Sequence, residues 1–443
     1  MRLIFKKDVS NVQDWKEKYA GKIVSPAEAV SHVKSGDKIV FSHACGESQV
    51  LTEALVKQAD RLKDVEIIHM VAMGAAKYCL PEMEGHFRHN ALFVGATTRE
   101  AVESGRADYT PCFFHEAPRL FTDGTIPVDV VMLQVSEPDE NGICSLGISV
   151  DYTQAAASVA TLKIAQINKN MPYTYGNGIH LDDLDYLVIK DEPIIELPPP
   201  KIGEIEQRIG EHVASLIQDG DTLQLGIGAI PDAVLSFLGD KKDLGIHSEM
   251  FSDGVVDLAE KGVITNRKKS LDPGKFLSCF LMGTKKLYNF IDHNPDVIIR
   301  PVDYTNDPFV ISQIDNIISI NSAMQVDLMG QVNAEMIGLR QFSGVGGQVD
   351  FVRGAARAKG GKAIIAMPST TGKTKKISKI VPLLDRGAAV TTSRNDVDYI
   401  VTEFGIAALH GKTLRQRAKA LIAIAHPDFR ASLEEEFNAR FGL

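Results

Sequence analysis

The sequence predicts an α/β protein made of two tandem open α/β domains, and three observations carry that prediction. The chain has 443 residues, 44% hydrophobic and 24% charged, which is more than one compact core holds. Ser31–Leu51 (SHVKSGDKIVFSHACGESQVL) aligns without gaps on Ser215–Leu235 (SLIQDGDTLQLGIGAIPDAVL), a constant offset of 184 positions. Between the two copies, Asp191–Lys201 (DEPIIELPPPK) carries four prolines, three of them consecutive, which hold the backbone extended and suit neither a helix nor a central strand.

Each copy reads as a helix, a Gly-Asp turn (Gly36-Asp37 and Gly220-Asp221), a short apolar strand (38–41 and 222–225), a small-residue turn and a second helix. Such a unit brings backbone N–H groups and a helix amino terminus to the carboxyl edge of the sheet, where open α/β sheets bind ligands. Unrelated α/β units share this outline, so the repeat stands as the preferred reading rather than the sole one. Further strands are expected at 128–135, 186–189, 297–301, 317–320, 362–367 and 399–401, and helices over 412–425 and 427–441. The proline segment sets the expected boundary, giving domains 1–195 and 196–443 with the active site in the cleft between them.

A formal charge of −9 argues against nucleic acid or an anionic membrane as partner, since the long-range field repels phosphate. Any anionic ligand then needs local donors. The five cysteines (Cys45, Cys79, Cys112, Cys144, Cys279) are scattered and odd in number, which points to a reduced, cytoplasmic chain without a structural metal. Residues 1–21 mix charges and lack the apolar core of a signal peptide, and no apolar run approaches the roughly 20 residues of a membrane span.

Three clusters can carry chemistry. Gly226-Ile227-Gly228-Ala229-Ile230, followed by Pro231 in the first helical turn, lets backbone approach a ligand beside free helix N–H groups, although a purely structural turn has the same residues. Glu249, in GIHSEMFSDG, falls where a strand ends and a helix opens; by residue type alone it is equally a solvated loop charge next to a Ser252 or Asp253 cap. Gly344-Val345-Gly346-Gly347 can aim successive N–H groups at an oxyanion, each worth about 3 kcal/mol, or form a glycine-rich bulge.

The stretches GIGAIPDAVL, GIHSEMFSDGVVDL, FLMGTKKLY, QVDLMGQVNAE, QFSGVGGQVDFVRGA and AVTTSRNDVDYIVTEFGIA, with PCFFHE and VSEPDENGICSLGIS in the first half, resemble the acetyl-CoA hydrolase and transferase family over nearly the whole chain. The resemblance implies the CoA-transferase type of fold, related to that of sugar-phosphate isomerases. It also implies transfer of coenzyme A from a short-chain acyl-CoA such as acetyl-CoA to a carboxylic acid such as 4-hydroxybutyrate or butyrate. By the same resemblance Glu249 becomes a glutamyl-CoA thioester in a ping-pong cycle, and Gly344 and Gly346 belong to the oxyanion turn. Gly226, Ile227, Gly228, Ala229 and Ile230 line the CoA site, with Met324 and Gly347 as further CoA contacts. Coenzyme A is then a substrate, with no tightly bound cofactor and no metal expected, and the assembly is at least a homodimer. Some branches of the family carry Asn or Gly where this chain has Met250.

Keeping the thioester energy without hydrolysis needs an enzyme carboxylate to take it over, and an ordinary glutamate is ionised at neutral pH. His43, His115 and Glu116 are candidates for the acid side of the cleft; Asp350 and Arg394 for support of the site; Lys373, Lys375 and Lys376, in STTGKTKK, for a CoA phosphate, although that stretch lacks the earlier glycine of a P-loop. A thioester hydrolase using the same Glu249 and a non-enzymatic effector-binding protein are the rival readings, the second without a visible DNA-binding segment.

Overall fold

The computed structural model describes residues 14–372 and 374–442. Residues 1–13, part of the segment read as no signal peptide, lie outside the described residues, as do Lys373 and residue 443.

Two open sheets follow one another along the chain. The first has seven parallel strands in the order Ala107–Tyr109, Phe87–Ala91, Val65–His69, Lys38–Phe41, Val130–Val135, Leu162–Ile167 and Tyr186–Ile189. The second runs Gly245–Ile246, Thr222–Leu225, Ile317–Asn321, Lys362–Ala366, Tyr399–Thr402 and Gly405–Ala408, parallel until the last strand turns back as a hairpin. A bridge from His247 to Leu277 carries this order on to a parallel pair, Phe276–Ser278 and Val297–Ile299. In both halves the first strand is central, the next three step outward on one side, and the remaining parallel strands occupy the other. The repeat read at residues 31–51 and 215–235 therefore extends to the whole topology.

The central strands are mostly apolar because helices and loops cover both faces. Val130–Val135 is buried at every position, and so is Thr222–Leu225, where Gln224 is satisfied by Ser319 Oγ (2.8 Å) and the Ile320 N–H (3.1 Å). After the central strand the copies diverge. The first half loops from Ser42 to Ser48 before its helix Gln49–Val56, whereas in the second only Gly226–Gly228 intervene before the helix Ala229–Ser236. The helix of the second half thus begins one turn earlier than the gap-free alignment places it.

One continuous core joins the halves, with Leu133, Ile148 and Tyr152 of the first packed into the cluster that holds Leu225, Phe251 and Phe280 of the second. Backbone pairs stitch the seam: Val150 and Asp151 N–H donate to Cys279 O (3.2 and 3.1 Å), and Leu281 N–H donates to Ile148 O (2.9 Å). The proline segment runs without regular structure between Ile189 and the helix Glu204–Ala214, held by Tyr288 OH on Ile195 O (2.7 Å) and Leu197 N–H on Gly283 O (2.8 Å). All five cysteines are free thiols, and no helix among the described residues is long and apolar enough to cross a membrane.

Candidate active site

The backbone that delivers Glu249 is pinned on every side. Beyond the strand Gly245–Ile246, Ser248 Oγ takes the Leu225 N–H (3.2 Å) and lies 2.9 Å from Leu225 O, so a side chain replaces a rung of the ladder. Met250 then pairs antiparallel with Leu225, curling the chain over the carboxyl end of the central strand. The Glu249 carbonyl accepts from Cys279 N (3.1 Å), Phe280 N (3.2 Å) and Ser278 Oγ (2.8 Å), while Met250 and Phe251 are buried in the core at 4% and 0% exposure. The cap expected at Ser252 or Asp253 takes another form: Ser252 Oγ donates to Asp232 Oδ1 (3.0 Å), and the Asp253 carboxylate caps the neighbouring helix Lys285–Ile291 through Thr284 N (3.2 Å) and Leu287 N (3.1 Å).

The Glu249 carboxylate accepts from Asn306 Nδ2 at 2.8 Å and lies against the Gly347 backbone. Each glycine of the third cluster has its own reason. A Cβ on Gly344 would lie 2.9 Å from Phe93 Cδ2 of the first half, Gly346 turns the chain at φ +53°, and a Cβ on Gly347 would collide with Glu249 Oε2 and Asn306 Nδ2. Gly347 also opens the helix Gln348–Arg357, whose Asp350 accepts His115 Nδ1 at 2.7 Å and the His115 N–H at 3.1 Å. Burial pushes Glu249 from 4.5 up to about 8; the Asn306 and Gly347 hydrogen bonds oppose the rise, and the charges of Asp350 and Asp151 add to it. An ordinary glutamate ionised at neutral pH was expected; here desolvation outweighs the donors, and the surroundings oppose that ionisation.

On the same edge, Gly226 and Gly228 present bare backbone, with nothing within 4 Å of a Cβ built at either. Gly228 has φ +121° and ψ 178°, a conformation open to glycine alone. Ile227 is 37% exposed, and with Gly228, Pro198–Pro200 and Met282 it lines a cavity of about 190 Å³. Ala229 and Ile230 begin the helix, the Ile230 side chain being buried. Met324 follows the adjacent strand Ile317–Asn321 and is half-buried, its N–H on Asn333 O (2.8 Å).

Comparison with known proteins joins this geometry to a family. The N-terminal domain pattern of acetyl-CoA hydrolase/transferase matches residues 7–198, and the C-terminal domain pattern matches 283–437. The chain belongs to the acetyl-CoA hydrolase/transferase family. Its relatives include the 4-hydroxybutyrate coenzyme A transferase of Clostridium kluyveri, 62% identical across 97% of this chain and 100% of that one. The butyryl-CoA:acetate CoA-transferase of Anaerostipes caccae is 38% identical across 95% and 96%. Among solved structures, a 4-hydroxybutyrate CoA-transferase from Porphyromonas gingivalis superposes with a TM-score of 0.84 at 46% identity, covering 97% of this chain and 100% of that chain.

Other candidates of this acetyl-CoA hydrolase/transferase member divide by position. His43 is buried, its Nδ1 on Asp151 Oδ2 (3.0 Å) and its ring 4.3 Å from that of Phe280, so it braces the wall behind Glu249. Glu116 pairs with Arg119 (3.3 Å). Arg394 reaches Met329 Sδ (3.3 Å). Lys376 lies 3.0 Å from His426 Nε2; the side chains of Lys375 and Lys376 are exposed, and Lys373 lies outside the described residues. Sequence reasoning missed Asn306 and Asp151, whose short local contexts carry no chemical signature. Gly347, expected as a CoA contact, lies with its backbone against Glu249.

Proposed function

We propose that this family member is an acyl-CoA:carboxylate CoA-transferase, moving coenzyme A from acetyl-CoA or another short-chain acyl-CoA to an acid of the 4-hydroxybutyrate or butyrate class through a glutamyl-CoA thioester on Glu249. The observation that carries the reading is a half-buried carboxylate, bonded to Asn306 and set against Gly347, at the sheet edge that also bears the open Gly226–Gly228 turn.

Glu249, once ionised, attacks the acyl-CoA carbonyl; the C–S bond breaks, coenzyme A leaves as thiolate and an acyl-glutamyl anhydride remains. The thiolate attacks the glutamyl carbonyl and expels the first carboxylate, leaving the thioester. The incoming carboxylate attacks that thioester to form a new anhydride and free thiolate, which attacks the acyl carbonyl, releasing the new acyl-CoA and the Glu249 carboxylate. Two of the four attacks place an oxyanion on the glutamyl carbon, beside the donors that hold Oε2 in the resting enzyme, and the others place it on the substrate within the Gly344–Gly347 turn. Enclosure strips water from the carboxylate, which raises its basicity and protects both activated intermediates from hydrolysis. Gly226 to Ile230 and Met324 bind coenzyme A, whose remote contacts hold the reacting atoms in line.

In this reading residues 1–195 wall the acid side and residues 196–443 bring the nucleophile and the coenzyme site. The chain works in the cytoplasm, as at least a homodimer. The test is treatment with acyl-CoA and borohydride in the absence of acceptor. The wild type is expected to lose activity irreversibly, and Glu249→Ala to lack turnover while retaining CoA binding. Full turnover in Glu249→Ala overturns the reading, and loss of acyl-CoA that is independent of added carboxylate assigns hydrolysis instead.

A further inference from the structure

Behind the glutamate lies an ion pair that the reaction steps above do not use. His115, in the short turn Phe114–Glu116 of the first half, gives both its backbone N–H (3.1 Å) and its ring Nδ1 (2.7 Å) to the two oxygens of Asp350, in the first turn of the helix that Gly347 opens. The Asp350 side chain is 1% exposed and that of His115 is 24% exposed, so the carboxylate is sealed while the imidazole still exchanges protons with solvent. The His115 ring stacks on that of Phe113, with centroids 6.1 Å apart. We propose that His115 and Asp350 act as a charge-compensating positioning pair for Glu249: the imidazolium cancels the Asp350 charge, and loss of the His115 proton turns that charge on the nucleophile.

The surroundings leave this pair as the adjustable element. Facing Glu249 are Asp350, Asp151 and Cys279; Asp151 is itself bonded to buried His43. Facing His115 are Asp350, Glu116, Asp307 and Asp303, and facing Asp350 is also Cys112. Burial pulls the imidazole down, but the Asp350 hydrogen bond and the surrounding carboxylates outweigh it and hold His115 above its ordinary 6.5. Asp350 is raised by burial and drawn back by His115. An unpaired anion at Asp350 would stiffen the penalty on ionising Glu249. Since His115 comes from one half and Asp350 from the other, the compensation exists only while the seam is closed.

The inference rests on Glu249 as the acyl and CoA carrier, and the experiment separates the two. The pH dependence of kcat/KM for acyl-CoA is measured on the full chain for the wild type, His115→Gln, His115→Asn, Asp350→Asn and His115→Gln/Asp350→Asn. His115→Gln is expected to move the acid limb up by roughly one pH unit, the scale of one uncompensated neighbouring charge. His115→Asn keeps a side-chain donor for Asp350 but no charge, and moves the limb the same way. Asp350→Asn leaves the limb at the wild-type position or below it, and the double variant returns towards the wild type. An upward shift in Asp350→Asn as well as in the histidine variants, or no shift in either histidine variant, overturns the pair. Borohydride trapping after acyl-CoA is run on every protein: trapping that persists without the predicted shifts refutes the pair alone, and its absence in the wild type refutes the carrier.

Discussion

Glu249 is a carboxylate whose surroundings resist its charge. Its folded-state pKa, about 8, lies above the ordinary 4.5, so the folded protein keeps a proton that the unfolded chain releases across that interval. By linkage the group lowers stability progressively as pH rises from 4.5 to 8, and the penalty is fully present above the folded value. Glu249→Gln, neutral and of equal size, should therefore gain stability over the wild type as pH rises through this window, read by denaturant unfolding at several pH values. A difference independent of pH would contradict the burial argument. By residue type Glu249 could as well have been a solvated loop charge, and the long motif around it was what singled it out. Asn306 was not legible, because it stands 57 positions away and meets the carboxylate only once the chain folds.

At the scale of elements, the glycine clusters were legible as turns but their division of labour was not. Gly228 is demanded by its own backbone angles, Gly347 by the space that Glu249 and Asn306 occupy. Gly228→Ala should raise KM for acyl-CoA at least about 10-fold with a smaller effect on kcat, by distorting the turn proposed to receive the coenzyme. Gly347→Ala, whose Cβ would collide with Glu249 Oε2 and Asn306 Nδ2, should displace the carboxylate from its donors and lower kcat about 100-fold while CoA binding persists. Steady-state kinetics distinguish the two, and the reverse split would exchange the roles assigned to these turns. Strands with continuous apolar runs were read closely, such as Tyr186–Ile189 and the helix Pro427–Phe441 at its full length. The strand expected from residue 128 starts at Val130, just after Asp129, whose carboxylate accepts the Lys38 N–H (2.8 Å). Val65–His69 and Phe87–Ala91 went unread: they are short, and Glu66, Arg88 and His89 break the apolar pattern that their neighbours in the sheet supply.

Over the whole molecule, duplication explains the plan, and asymmetry explains where the chemistry sits. Lys38 pairs with Glu66 and Thr222 with Gly245, so Met70 occupies in the first sheet the place of Glu249 in the second. The first half keeps the geometry of the repeat without the glutamate and supplies walls instead: Phe93 against Gly344, Asp151 behind the glutamate, and His115 on Asp350. The halves were expected to face each other across an open cleft. The shared core and the Val150–Cys279 pairing make the seam a packed interface, with the site set into its edge. Met250, the departure from other branches of the family, lies in that core and leaves the carboxylate untouched.

The most direct test is mass spectrometry of the proteolytic peptide bearing Glu249 after the protein is mixed with acyl-CoA without acceptor acid. Coenzyme A attached to that peptide, and discharged on adding a short-chain carboxylate, is the expected result. Sustained transfer with that peptide never modified, or with coenzyme A attached elsewhere, would contradict the account.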